Sequence, residues 1–168
     1  MRRVMIIGPC GSGKSTLARG LAPRLGLPLI HMDQLGWKEG WVETEDAELG
    51  ARLGELVAQD RWLIEGHYGS LLAPRLARAD TVIYLDFPIR LCLWRLAKRV
   101  WTMRGRVRPD MAEGCPERFD AGFFWYVARW KAGPRKRTEA RLAGYRGNLV
   151  RLRSPAALAA WRQRQGLA

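Results

Sequence analysis

The sequence predicts a doubly wound α/β domain, a parallel sheet with helices on both faces. Two observations predict it. Five short apolar runs alternate with helical periodicities, and the stretch GPCGSGKST (8–16) joins the first run to the first helical pattern. The runs cover 2–8, 27–32, 61–66, 80–86 and 147–153, and they are nearly continuous rather than alternating. Strands covered on both faces read that way.

The helical segments follow in order. Lys14 to Leu25 carries Leu17, Leu21 and Leu25 at four-residue spacing, with Pro23 as a point of kinking or shortening. Glu45 to Gln59 repeats Leu49, Leu53, Leu56 and Val57 behind Thr44 as N-cap. A short helix covers Ser70 to Arg78, and Pro88 opens a long one through Leu91, Trp94, Leu96 and Val100. Pro116 to Lys131 and Pro134 to Ala143 come next, and Ser154-Pro155 starts a last helix ending near Arg164. Residues 104–119, RGRVRPDMAEGCPERF, break the alternation: too charged for core and too long for an idle turn, they suggest a mobile lid over about 104–118.

A chain of 168 residues with 48% apolar content is expected to fold as one domain over 1–168, and disorder is excluded. No apolar stretch approaches the roughly 20 residues of a membrane span, and four apolar residues behind Arg2 and Arg3 make no secretory signal. Cys10, Cys92 and Cys115 have neither paired nor metal-ligand spacing, so free thiols in a reducing cytoplasm are expected. Charge is uneven. Residues through Pro88 sum to −1 and those from Ile89 onward to +14, which fits either a solvated arginine-rich surface or a site for phosphate groups.

GPCGSGKST contains Gly-x-x-x-x-Gly-Lys-Ser at Gly8, Gly13, Lys14 and Ser15, between a strand and a helix as its chemistry requires. Gly8, Pro9, Cys10, Gly11, Ser12 and Gly13 form a loop whose amides converge on phosphate oxygens, at the positive end of the helix that Lys14, Ser15 and Thr16 begin. Lys14 reaches the terminal phosphates, and the Ser15 hydroxyl is placed to ligate Mg²⁺. A bound nucleoside triphosphate is the expectation.

Ligands of such sheets gather at the carboxyl ends of strands. The second strand ends at Asp33, a residue for the metal or for the proton of an attacking hydroxyl, or an acid that caps a loop. The third ends in Glu65, His67 and Tyr68, candidates for acceptor binding, and the fourth in Asp86, which suits an N-cap at least as well as catalysis. Trp37 and Trp41 near Asp33 offer a platform for a flat acceptor, or a loop tucked on the next helix. Arg95 and Arg99 stand one turn apart and lead to Arg104, Arg106 and Arg108, guanidinium groups able to close over a transferring phosphoryl group. The aromatic run Phe119, Phe123, Phe124, Trp125, Tyr126 and Trp130 has helical spacing and reads as core.

The stretches VMIIGPCGSGKSTLA, LPLIHMDQLGWKEGW, DRWLIEGHY, ADTVIYLDFP, RLCLWR and RGRVRPDMAEGCPERFD, in this order, cover nearly the whole chain. Together they resemble the bacterial DNA topology modulation protein group (FlaR-related), small P-loop proteins akin to adenylate and shikimate kinases. The resemblance implies a three-layer α/β/α P-loop NTPase fold, nucleotide-kinase-like, with a five-stranded parallel sheet of order 2-3-1-4-5. It further implies Mg·ATP as donor, an arginine-rich lid after the fourth helix, and Arg95 and Arg99 as lid-adjacent arginines. Glu65-Gly66-His67-Tyr68 departs from the Asp-Gly-(Tyr/Phe)-Pro-Arg of nucleotide kinases, and the second-strand loop lacks an arginine to clamp a monophosphate. The favoured reading is therefore an ATP-dependent small-molecule kinase in which Lys14, Asp33, Arg95 and Arg99 are catalytic. A nucleoside monophosphate kinase and an ATP-binding regulator that contacts DNA are the alternatives; neither a nucleic-acid nor a membrane partner is expected.

Overall fold

The computed structural model describes residues 1–166. The chain opens with β1 (Arg3–Ile7), α1 (Lys14–Leu25), β2 (Leu29–His31) and α2 (Met32–Gly36). A two-residue hairpin, β3 (Trp37–Lys38) with β4 (Val42–Glu43), precedes α3 (Asp46–Ala58), β5 (Trp62–Glu65), α4 (Leu72–Arg78) and β6 (Thr81–Leu85). The second half holds α5 (Ile89–Met103), α6 (Ala121–Ala128), α7 (Pro134–Leu142), β7 (Asn148–Leu152) and α8 (Pro155–Arg164).

The sheet is parallel throughout, in the order β2-β5-β1-β6-β7. Counting only its own strands along the chain, this is the expected 2-3-1-4-5. Alternate residues of a strand point to opposite faces, and β1 shows the result. Val4 and Ile6 join Leu17 and Leu21 of α1 and Trp161 of α8 on one side. Met5 and Ile7 join Leu49 and Leu53 of α3, Leu72 of α4 and Leu142 of α7 on the other. Val4 to Ile7 have no exposed surface, so the three-layer arrangement follows from a strand that is apolar at every position after Arg3.

Helix ends follow local chemistry. Ser154 caps α8 by accepting from the Ala157 N–H at 3.1 Å, and Asp120 caps α6 by accepting from Phe123 at 2.9 Å. Pro23 does not shorten α1, which runs to Leu25 and ends at the left-handed Gly26. Three expectations are corrected. Thr44 is not the cap of α3: its hydroxyl donates to the Leu35 carbonyl, and Glu45 takes the cap position without a side-chain bond. The aromatic helix is shorter than 116–131, starting only after Asp120. Asp86 does not cap α5, whose N-cap is Pro88.

Asp86 instead receives two arginines. Arg135 of α7 donates to both its oxygens at 3.0 Å, and Arg151 of β7 donates to Oδ2 at 3.0 and 2.6 Å. Glu139 completes the network with both arginines. Burial alone would raise the Asp86 pKa, but the hydrogen bonds and charges of Arg135 and Arg151 outweigh it and hold the carboxyl below its ordinary value. The network fastens α7 and β7 to the end of β6. Asp86→Ala, which strands two partly buried arginines, is expected to cost about 1–3 kcal/mol in urea unfolding at pH 7. The wild-type contribution is present above the unfolded carboxyl value of about 3.9 and is lost as pH falls through the lower folded value. The difference between the two proteins should therefore shrink in acid.

Candidate functional site

The loop after β1 curls because its glycines permit what other residues would not. Gly11 has φ 78°, and a Cβ there would strike the Cys92 carbonyl oxygen of α5. At Gly8, φ 142°, a Cβ would lie 2.5 Å from the Leu85 carbonyl oxygen of β6. The loop is thus pressed backbone against backbone between β6 and α5. Inside the curl the Pro9 carbonyl accepts from Ser12 Oγ at 2.8 Å and from Lys14 Nζ at 3.1 Å. Pro9 shapes the loop through that carbonyl and does not line the cleft; Gly8 and residues 10–16 do.

Below the loop the strand ends converge. Glu65, 2% exposed at the end of β5, accepts from Ser15 Oγ at 3.0 Å and meets His31 Nδ1 of β2 at 2.7 Å. Two residues beyond His31, Asp33 opens into the cleft with 38% of its side chain exposed. Its carboxyl pKa is raised, first by desolvation among the protein atoms around it and next by the charge of Glu65, with Lys14 and Arg108 opposing. The Tyr68 hydroxyl bonds to Asp33 and to the Trp37 side chain, and burial pushes the phenol above its ordinary range.

Tyr68 has φ 37°, a left-handed conformation unusual for a non-glycine residue. Arg75 holds it there. This fully buried guanidinium donates to the carbonyls of Gly66, His67, Tyr68 and Leu71 at 2.6–3.0 Å. Burial lowers its pKa to about 9, which leaves it charged at neutral pH. Nothing in the sequence distinguishes Arg75 from a surface arginine of α4. His67 is pushed down to about 3, by burial first and then by Lys14 and Arg75, so its imidazole is neutral.

From α5, Arg95 Nη1 lies 3.5 Å from the Ser12 carbonyl and Arg99 Nη1 lies 3.5 Å from Cys10 Sγ. Buried Glu117 binds Arg99 and Arg108 together, at 3.1 and 2.9 Å. Arg108 also pairs with Asp110 and stands 4.0 Å from Asp33.

The segment 104–118 is irregular, as expected, but it is docked. Gln34 donates to the Pro109 carbonyl, Gly40 N–H to Gly114, and Trp41 Nε1 to Pro116, at 2.9–3.0 Å. Met111, Ala112 and Cys115 form a small core with Trp37 and Trp41. Two site expectations are corrected here. Trp41 does not line the cleft; it anchors this segment, with Arg118 stacked 5.0 Å over its ring. Arg104 and Arg106 are exposed and outside the cleft, because the turn at Gly105 directs Arg108 inward in their place.

The cleft itself holds about 920 Å³. Lys14, Ser15, Thr16, Asp33, Trp37, Glu65, His67, Tyr68, Arg95 and Arg99 all line it. So do Phe123, Tyr126 and Trp130, which the sequence reading placed in the core. Their spacing along one helical face was the available signal; it could not say whether that face met protein or ligand.

A family model described as an AAA domain matches residues 4–113. The chain belongs to this family. A shikimate kinase of Baumannia cicadellinicola subsp. Homalodisca coagulata is 32% identical over 132 residues, spanning 70% of this chain and 73% of the relative. A shikimate kinase of Psychrobacter cryohalolentis is 27% identical over 136 residues, 72% of this chain and 70% of the relative. Among solved structures, the shikimate kinase of Acinetobacter baumannii in complex with shikimate superposes with a TM-score of 0.60 at 18% identity, covering 99% of this chain and 94% of that one. An unliganded sugar kinase from Janibacter sp. HTCC2649 gives 0.51 at 16%, covering 100% and 96%. The protein is a P-loop kinase, a phosphotransferase with a small-molecule acceptor, and ATP use comes with that family. These matches support the P-loop kinase part of the sequence resemblance and not its topology-modulation name.

The raised carboxyl of Asp33 has a consequence for the folded kinase. A folded state that binds a proton more tightly than the unfolded chain loses stability as pH rises through that group's titration. At neutral pH Asp33 therefore makes the folded protein less stable than it is in acid. Asp33→Asn is expected to raise its thermal midpoint modestly at pH 7 by scanning fluorimetry, with the gain vanishing in acid.

Proposed function

We propose that this kinase transfers the γ-phosphoryl group of Mg·ATP to a hydroxyl of a small organic acceptor in the cytoplasm. The observation that carries the reading is the meeting of Lys14, Ser15, Glu65 and Asp33 at one end of a cleft that continues to an aromatic wall. Ser15 is the residue that would hold Mg²⁺, with Asp33 serving through one of the ion's waters. An oxygen-only donor set of this kind suits that hard ion, which takes one or two protein oxygens beside phosphate and water. When bound, the ion supplies positive charge against the phosphate oxygens.

The loop amides and Lys14 hold the donor phosphates, and Lys14 leaves Pro9 to do so. Arg95, Arg99 and Arg108 face the γ-phosphate region and offset the negative charge of the transferring group. Asp33 orients the acceptor hydroxyl and takes its proton as the new O–P bond forms and the bond to the β-phosphate oxygen breaks. Glu65, committed to Ser15 and His31, positions rather than reacts. The segment over 104–118 serves as the lid, excluding water from the phosphates. On this reading one catalytic domain spans 1–168.

Shikimate and nucleoside monophosphates belong in the first acceptor panel, the former because of the relatives' activity. ADP release coupled to NADH oxidation is the assay. Lys14→Ala is expected to lose at least about 10²–10³-fold in kcat/KM. Asp33→Asn should lose about 10²–10⁴-fold in kcat with ATP affinity little changed. Wild-type kcat should fall in acid, because a protonated Asp33 cannot accept the proton. Full activity in Asp33→Asn removes that residue from the chemistry, and an absence of heat on mixing with Mg·ATP in calorimetry overturns the whole reading.

A further inference from the structure

Two polar atoms in the aromatic wall of the cleft have no partner among the described residues. Trp130 is 1% exposed and its Nε1–H donates to nothing; the Nδ1 of His67 is likewise buried and unpaired. The two rings meet edge to face with centroids 4.5 Å apart, and both residues line the cleft. Native proteins rarely leave buried polar atoms unpaired, so an orphaned pair on residues that line a cleft points to a ligand as the missing partner.

What kind of ligand is fixed by the direction of the hydrogens. The Thr138 hydroxyl donates its single proton to the Pro134 carbonyl at 2.8 Å. Its contact with His67 Nε2 at 3.2 Å must then run the other way, with Nε2–H donating and Thr138 Oγ1 accepting. The remaining nitrogen, Nδ1, carries a lone pair and no proton. The neutral state of the ring agrees with its burial and with the cations around it, Lys14, Arg75, Arg141 and Arg137. The wall therefore offers one donor, the indole N–H, beside one acceptor, the imidazole Nδ1.

A single hydroxyl satisfies both, accepting from Trp130 and donating to His67. A carboxylate or phosphate oxygen satisfies the indole but sets its lone pairs against Nδ1. An ammonium satisfies Nδ1 and opposes the indole N–H. Phe123 and Tyr126 extend the wall with aromatic faces suited to the C–H side of a carbon ring or chain. Resting on the kinase reading above, the geometry points to a neutral polyhydroxy acceptor, a sugar, cyclitol or open polyol, one of whose non-reacting hydroxyls bridges Trp130 and His67. The hydroxyl to be phosphorylated faces Asp33.

The test is an acceptor panel with Mg·ATP comprising glucose, myo-inositol and xylitol, with shikimate as a hydroxy acid and AMP as a phosphate. It is run on the wild type and on Trp130→Phe, His67→Leu and His67→Asn. Turnover is expected with a neutral member. Trp130→Phe and His67→Leu should raise its KM by about 10- to 100-fold, with the KM for ATP unchanged. His67→Asn, which returns an acceptor oxygen near Nδ1, should recover part of the loss. Preferred use of shikimate or AMP overturns the polyol assignment while leaving the kinase reading intact, as does a KM indifferent to Trp130→Phe. Where no member is turned over, calorimetry with Mg·ATP separates the two: heat without turnover counts against the polyol class alone, and no heat sinks the kinase reading beneath it. Should Trp130→Phe not fold, the wild-type Trp130 indole N–H resonance is followed during titration with the polyols. A shift supports the bridge, and no shift with any of them refutes it.

Discussion

A buried carboxylate cannot be left without partners, and Glu65 finds its partners in Ser15 and His31. Much of the cleft follows from that one requirement. Ser15 lies in the first turn of α1, His31 ends β2, and the parallel register sets His31 and Ile6 on either side of Glu65. The bond to Ser15 fixes the start of α1 over the sheet, and with it the curl of the loop around Pro9. The bond to His31 fixes the end of β2 and so sets Asp33, two residues later, within the influence of Lys14 and Arg108.

The arginines divide by task. Arg135 and Arg151 are consumed by Asp86, and Arg75 by the carbonyls beneath His67 and Tyr68. These hold backbone in place. Arg95, Arg99 and Arg108 line the cleft, the last two bridged by Glu117, a buried acid that gives two neighbouring cations a common counter-charge. The positive excess in the second half of the chain thus conflates at least two uses, fastening α7 and β7 to the end of β6 and lining the cleft.

The strands, most helices and the nucleotide loop were legible in the sequence because each is written locally. A strand apolar at every position and a glycine pattern between strand and helix need no distant partner to be recognised. The misreadings share the opposite property. Trp41, Arg104 and Arg106 were assigned by proximity in sequence to a functional residue, yet their direction is set by the docking of 104–118 on the β3–β4 hairpin. Thr44 and Asp86 had the chemistry of caps, but a carbonyl of α2 and two remote arginines gave them better partners. The aromatic residues of α6 looked like core since periodicity reports an apolar face without reporting what covers it. Arg75 could not have been found at all, because its function resides in four carbonyls that only the fold gathers.

The docking of 104–118 reaches further than its own loop. Its anchors, Gln34, Lys38, Gly40 and Trp41, lie within eight positions of Asp33 on one continuous strip of backbone, and Arg108 approaches Asp33 directly. On the proposed reading, cover and base are therefore on the same lever. Were the segment to lift for a nucleotide, it would pull at the turn that bears the carboxylate, and access to the chamber would be coupled to the placing of its acid.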